Sequence, residues 1–116
     1  GLLEVTQFFQ RDMDARDMGF ALGQTPFEEA PYFSAQGNGL SCGTGDSFVT
    51  APPELQTDLV DMEAFALAKL AQMAGIHFSC FKYLSDQADE NSPSAWKDNL
   101  AHASHVFINE ILENHV

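Results

Sequence analysis

The sequence predicts a layered α/β fold with much parallel strand pairing. Three observations carry this. Short strand-like runs alternate with helical ones, a pattern that places helices against a sheet. Residues 93–114 carry Trp96, Leu100, Ala103, Phe107 and Ile111 at steps of three and four, which gives one apolar helix face. Three strand-like segments end in polar residues, at Gly45-Asp46-Ser47, Asp61-Met62-Glu63 and Ser85-Asp86. In open α/β sheets such ends face the ligand crevice.

Residues 2–10, with Val5, Thr6, Phe8 and Phe9, read as the first strand. Residues 11–24 are acidic and glycine-containing and read as a loop with a helical turn. Residues 25–38 hold Pro26, Pro31, Gly37 and three aromatics, and are expected to form an irregular loop with a short amphipathic helix. Residues 39–43 form a short strand entering the turn Gly43-Thr44-Gly45-Asp46. Pro52 and Pro53 suit the first turn of a short helix, where a missing N–H is harmless. Leu59 and Val60 make another brief strand. Residues 62–74 read as a helix that is apolar nearly all round, and Gly75 is placed to end it. Residues 77–84 are strand-like again, broken by Ser79 and Lys82.

The 116 residues suit one domain, and 45% hydrophobic residues support a packed core. The formal net charge is −12, which disfavours nucleic acid and anionic membrane surfaces, both of them polyanions. No apolar run approaches the ~18 residues of a membrane span. Cys42 and Cys80 form no CxxC pair and sit in apolar stretches, as buried free thiols do; a reducing, cytoplasmic setting is expected. Asp12, Asp14 and Asp17 lack the glycine and closing glutamate of a calcium loop and read as a solvated loop. His77, His102, His105 and His115 lack zinc spacing and read as surface or interface groups. Neither a metal nor a cofactor is expected.

The chemistry lies in the polar strand ends. Asp86, delivered by an apolar strand to a low-dielectric crevice, would have a raised pKa and serve as a general acid. Singly, Ser85-Asp86 reads first as a turn cap, Asp61 as a helix cap, and Phe48 as a core aromatic. Together, the order Thr44-Gly45-Asp46-Ser47-Phe48-Val49, then Val60-Asp61-Met62-Glu63-Ala64, then Lys82-Tyr83-Leu84-Ser85-Asp86-Gln87-Ala88-Asp89 resembles the carboxyl-terminal half of 5′-methylthioadenosine/S-adenosylhomocysteine nucleosidases. These belong to the purine nucleoside phosphorylase/uridine phosphorylase superfamily.

The resemblance implies an α/β/α three-layer sandwich of the nucleoside phosphorylase type, with residues 1–116 as the carboxyl-terminal portion of a single domain. It implies hydrolysis of the N-glycosidic bond of an adenine nucleoside. Asp86 would protonate N7 of the leaving adenine, with Ser85 helping to hold its carboxyl. Glu63 would bond the ribose hydroxyls and Met62 would pack on the sugar. Phe48 would stack on the purine, whose edge the Val49 backbone would read. Lys82 takes a position where many members carry arginine. Met18, Phe20 and Pro26 match a loop that closes the partner subunit's site, which implies a homodimer. The glycine-rich first turn, the water-activating glutamate and a serine near the nucleophile belong to an amino-terminal half outside these residues. Two other readings stay open: a purine nucleoside phosphorylase using phosphate, and a non-catalytic α/β ligand-binding module.

Overall fold

A computed structural model describes residues 1–112. Its centre is β1 (Leu3–Gln10), which places Val5 and Phe8 in the core. β1 pairs antiparallel with β2 (Tyr32–Ser34) and parallel with β3 (Leu40–Thr44). β3 in turn pairs parallel with β4 (Leu59–Asp61), setting Thr44 opposite Asp61. β5 (Cys80–Lys82) also pairs with β1, antiparallel. The β1–β3 register shifts between Val5 and Gln7, an irregularity of the kind that bends a strand. The sheet is therefore mixed, with two parallel and two antiparallel pairings.

Helix α1 (Ala64–Ala74) packs on this sheet. Ala64, Phe65, Ala68 and Ala71 are buried, a spacing that makes one helical face. Small alanines let the helix approach β1 and β3 closely, and Phe65 meets Phe33 at a ring distance of 5.3 Å. Gly75 ends the helix at φ 68°, donating to the carbonyls of Ala71 and Gln72. The left-handed conformation costs glycine little. The core is completed by Cys42 and Cys80, with Leu59 and Phe78 packed against it. Both cysteines are free.

Several expectations change. Residues 25–38 contain no helix; β2 lies there, because pairing with β1 satisfies a backbone that local propensity left open. Pro52 and Pro53 start no helix; the segment runs irregularly from the Asp46 turn to β4. α1 begins at Ala64, since Met62 and Glu63 turn out to the surface. Its apolar far side, Leu67, Leu70 and Met73, is exposed. β5 is shorter than residues 77–84.

Helix α2 (Ser92–Phe107) continues as a π-helical turn, Ile108–Leu112; the rest of the expected helix, and His115, lie outside the described residues. The predicted core face is only partly covered. Trp96 is 41% and Leu100 53% exposed. Periodicity fixes which side of a helix is apolar, not how much protein lies against it. His77, His102 and His105 are exposed. No described helix is long and apolar enough to cross a membrane.

Candidate active site

The turn after β3, the start of α1 and the segment after β5 meet around a cavity of about 240 Å³. Seven of the residues named from sequence line it: Phe48, Val49, Met62, Glu63, Lys82, Ser85 and Asp86. Three separate segments supply them, so only the fold brings them together. Met18, Phe20 and Pro26 do not line it. They sit on the loop after β1, where Phe20 meets the exposed Phe27 edge-on at 5.5 Å and Met18 is 65% exposed.

Asp86 is held by local donors. The Ala88 amide donates to Oδ1 at 2.7 Å and the Ser85 hydroxyl to Oδ2 at 2.8 Å. Burial pushes the carboxyl up, but the hydroxyl of Ser92, the Ala88 amide and the Ser85 hydroxyl outweigh it and hold Asp86 below its ordinary pKa. This corrects the expected raised value. The crevice is open at Asp86, and every nearby donor favours the anion. Ser92 is fully buried and accepts from the Asp89 amide at 2.7 Å. It is the first residue of α2, one position before the expected helix start at residue 93.

Asp61 is the second polar centre, and it turns the other way from Glu63. Its carboxylate accepts from the Ala64 amide (2.7 Å), the Thr44 hydroxyl (2.5 Å) and Lys82 Nζ (2.7 Å). Thr44 Oγ1 also accepts from the Phe65 amide at 2.9 Å. Two free amides of the first α1 turn are thereby satisfied. Burial raises the Asp61 carboxyl, yet Lys82 and Thr44 hold it below its ordinary pKa. For Lys82 burial acts downward, and the Asp61 carboxylate raises the pKa on balance. Burial, and then the Asp61 charge, push the Cys42 thiol well up. The cap reading of Asp61 is thus realised, with an ion pair added.

Sequence reasoning missed Arg11 and Trp96. The Arg11 side chain is 4% exposed and lines the cavity. Its Nη2 donates to the Ser47 carbonyl at 2.6 Å, and Nη1 lies 3.3 Å from Asp12. Gly45 makes room for it: a Cβ there would stand 2.5 Å from Arg11 Cζ. Trp96 faces Phe48 edge-on at 6.3 Å, so two aromatics border the cavity. An arginine beginning a loop carries no local sign of where its tip goes; the aromatic on an amphipathic helix was assigned to the core. Among the described residues no cluster of three or more His, Cys, Asp or Glu is placed to hold a metal.

A mixed sheet flanked by helices, with an aromatic, two carboxylates and a Ser-Asp turn on one cavity, is an architecture of the nucleoside phosphorylase type. Comparison with known proteins is specific about the family. Residues 11–113 match the model of the phosphorylase superfamily, and the chain belongs to it. Among relatives, it is 28% identical over 137 residues to a 5′-methylthioadenosine/S-adenosylhomocysteine nucleosidase of Marinomonas sp. (strain MWYL1), covering 92% of this chain and 58% of that protein. The nucleosidase of the same name from Shewanella oneidensis is 31% identical over 108 residues, 71% of this chain and 45% of that one. The chain thus spans about half the length of these relatives. Among solved structures, a Helicobacter pylori 5′-methylthioadenosine/S-adenosylhomocysteine nucleosidase with butyl-thio-DADMe-Immucillin-A superposes with a TM-score of 0.76 at 22% identity, over 90% of this chain and 55% of that one. A Helicobacter pylori futalosine hydrolase mutant gives 0.80 at 20%, over 89% and 55%. At such identities these structures establish the fold.

Proposed function

We propose that this chain is the carboxyl-terminal portion of a single-domain nucleosidase that hydrolyses the N-glycosidic bond of an adenine nucleoside such as methylthioadenosine or S-adenosylhomocysteine and releases adenine. The observation that carries the reading is the convergence of Phe48, Glu63 and Asp86 on one cavity. Phe48 offers an aromatic face to a purine, beside the Val49 backbone. Glu63, exposed at the start of α1 next to Met62, accepts hydrogen bonds from ribose hydroxyls. Asp86, steadied by Ser85, protonates N7.

The chemistry follows from where charge develops. Bond cleavage builds positive charge on the sugar and negative charge on the purine; carboxylates stabilise the first and a proton neutralises the second. In the open cavity Asp86 is held ionised. A purine stacked on Phe48 excludes water from it, and that loss of hydration raises the carboxyl toward protonation.

Water is the acceptor that the nucleosidase resemblance implies; the residues that would handle it belong to the amino-terminal half outside these residues, so product analysis separates hydrolysis from phosphorolysis. The two free buried thiols accord with a reducing cytoplasm, and the exposed Met18, with Phe20 and Pro26 on the same otherwise acidic loop, accords with a homodimer.

The test is product analysis of the full-length protein with methylthioadenosine, with and without phosphate, and with S-adenosylhomocysteine and futalosine as further substrates. Adenine with free methylthioribose is the expected outcome. The 1-phosphate sugar identifies a phosphorylase. Binding with no released base identifies a non-catalytic module.

A further inference from the structure

We propose that Asp61 is a positioning residue, whose buried carboxylate locks together the three segments that carry the proposed catalytic groups. The inference rests on the nucleosidase reading for what the cavity binds, but the tie itself is visible in the geometry. The turn after β3 carries Phe48, and Thr44 at the end of β3 donates to Asp61 Oδ1 at 2.5 Å. α1 begins beside Glu63, and its Ala64 amide donates to Asp61 Oδ2 at 2.7 Å. Beyond β5 lie Ser85 and Asp86, and Lys82 at its end reaches Asp61 Oδ2 at 2.7 Å. A backbone bond from the Gly45 amide to the Asp61 carbonyl, 3.1 Å, adds a fourth tie to the Phe48 turn.

The Asp61 side chain is only 8% exposed. It borders the cavity, but its oxygens are engaged by Thr44, Ala64 and Lys82 rather than left free for a substrate. One carboxylate with charged and neutral donors in fixed directions is a rigid joint, because charge-assisted bonds are short and strong. A plain helix cap needs only the Ala64 bond, and Asn caps as well as Asp does. What Asn cannot do is accept from Thr44, Ala64 and Lys82 at once. Its amide nitrogen would also face a donor, and Lys82, only 27% exposed, would be left beside it without an anion.

The experiment uses the full-length protein with Asp61→Asn, Lys82→Met and the double variant. It records kcat and KM for methylthioadenosine, the melting temperature, and affinity for adenine. Displacing reacting groups by about 1 Å costs on the order of 100-fold in rate. The expected result for Asp61→Asn is therefore a loss of about 10- to 100-fold in kcat, a KM raised by about tenfold as Phe48 and Glu63 shift with their segments, and a cooperative melt. Lys82→Met behaves similarly, and the double variant loses no more than the worse single one, since both remove the same bond. Folded single variants with near-wild-type kcat, or losses that multiply in the double variant, overturn the inference. If Asp61→Asn does not fold, Lys82→Met decides by the same criterion. If the wild-type protein has no turnover, the functional reading fails separately, and adenine binding decides: weakening of about tenfold in Asp61→Asn supports the joint, and unchanged affinity refutes it.

Discussion

Replacing Asp86 by Asn separates a catalytic carboxyl from a structural one. In the structure Asp86 accepts from the Ala88 amide at 2.7 Å and from the Ser85 hydroxyl at 2.8 Å, and the Ser92 hydroxyl also favours its anion. Asn keeps an oxygen for Ala88. Its amide faces Ser85, whose hydroxyl can rotate to accept. The loss is the charge-assisted part of these bonds, about 1 kcal/mol after allowing for solvent screening at a partly buried site. Native proteins are stable by roughly 5–15 kcal/mol, so the variant stays folded and its melting temperature falls by about 2–4 °C. Loss of a general acid costs about 10²–10⁴ in rate, or ~2.7–5.5 kcal/mol of barrier. The catalytic effect therefore exceeds the folding effect severalfold and cannot be produced by it. It should appear in kcat with little change in KM, because only the transition state needs the proton. Steady-state kinetics on methylthioadenosine, beside a thermal melt of the same samples, make the measurement. Near-wild-type turnover in Asp86→Asn would refute the reasoning and leave Asp86 as the acceptor of a local turn.

Three further outcomes are expected. Gly45→Ala forces the buried Arg11 guanidinium aside, since the new Cβ would lie 2.5 Å from Cζ; a destabilisation of about 1–3 kcal/mol is expected in urea titration, and none would mean Arg11 is free to move. Because the Asp61 pKa is depressed in the fold, its contribution is present above the unfolded value of about 4 and is lost as pH falls through the folded value; acid titration should destabilise wild type more steeply below about pH 4 than Asp61→Asn, and parallel curves would contradict this. Met18→Asp places a charge on the exposed loop after β1 and should shift the full-length protein toward monomer in sedimentation; an unchanged mass would remove that loop from the interface.

Much of this architecture was written locally in the chain. β1, β3, β4 and the body of α1 fall where apolar runs and the Gly75 stop place them. The segments bearing Phe48, Glu63 and Asp86 were marked by glycine turns and by carboxylates at strand ends, signals a few residues long. Legibility failed where the partner is distant. β2 exists because β1 offers it a ladder, and residues 32–34 carry no strong signal of their own. The apolar face of α2 was readable, while its partial exposure was not.

The site divides in the same way. Sequence reasoning read Asp61 as a helix cap, and the resemblance gave Glu63 to the ribose, but neither showed what else would hold Asp61. The fold decided it, by placing Thr44 and Lys82, 17 and 21 positions away in the chain, against Asp61 and leaving Glu63 at the mouth. It likewise carried Arg11 to the carbonyl of Ser47, 36 residues on, and surrounded Asp86 with donors that reverse its expected pKa shift. The physical reason is range. Propensity, turns and caps act over three or four residues, whereas a carboxylate's charge state and direction are set by whichever groups the packed chain brings within about 3 Å of it.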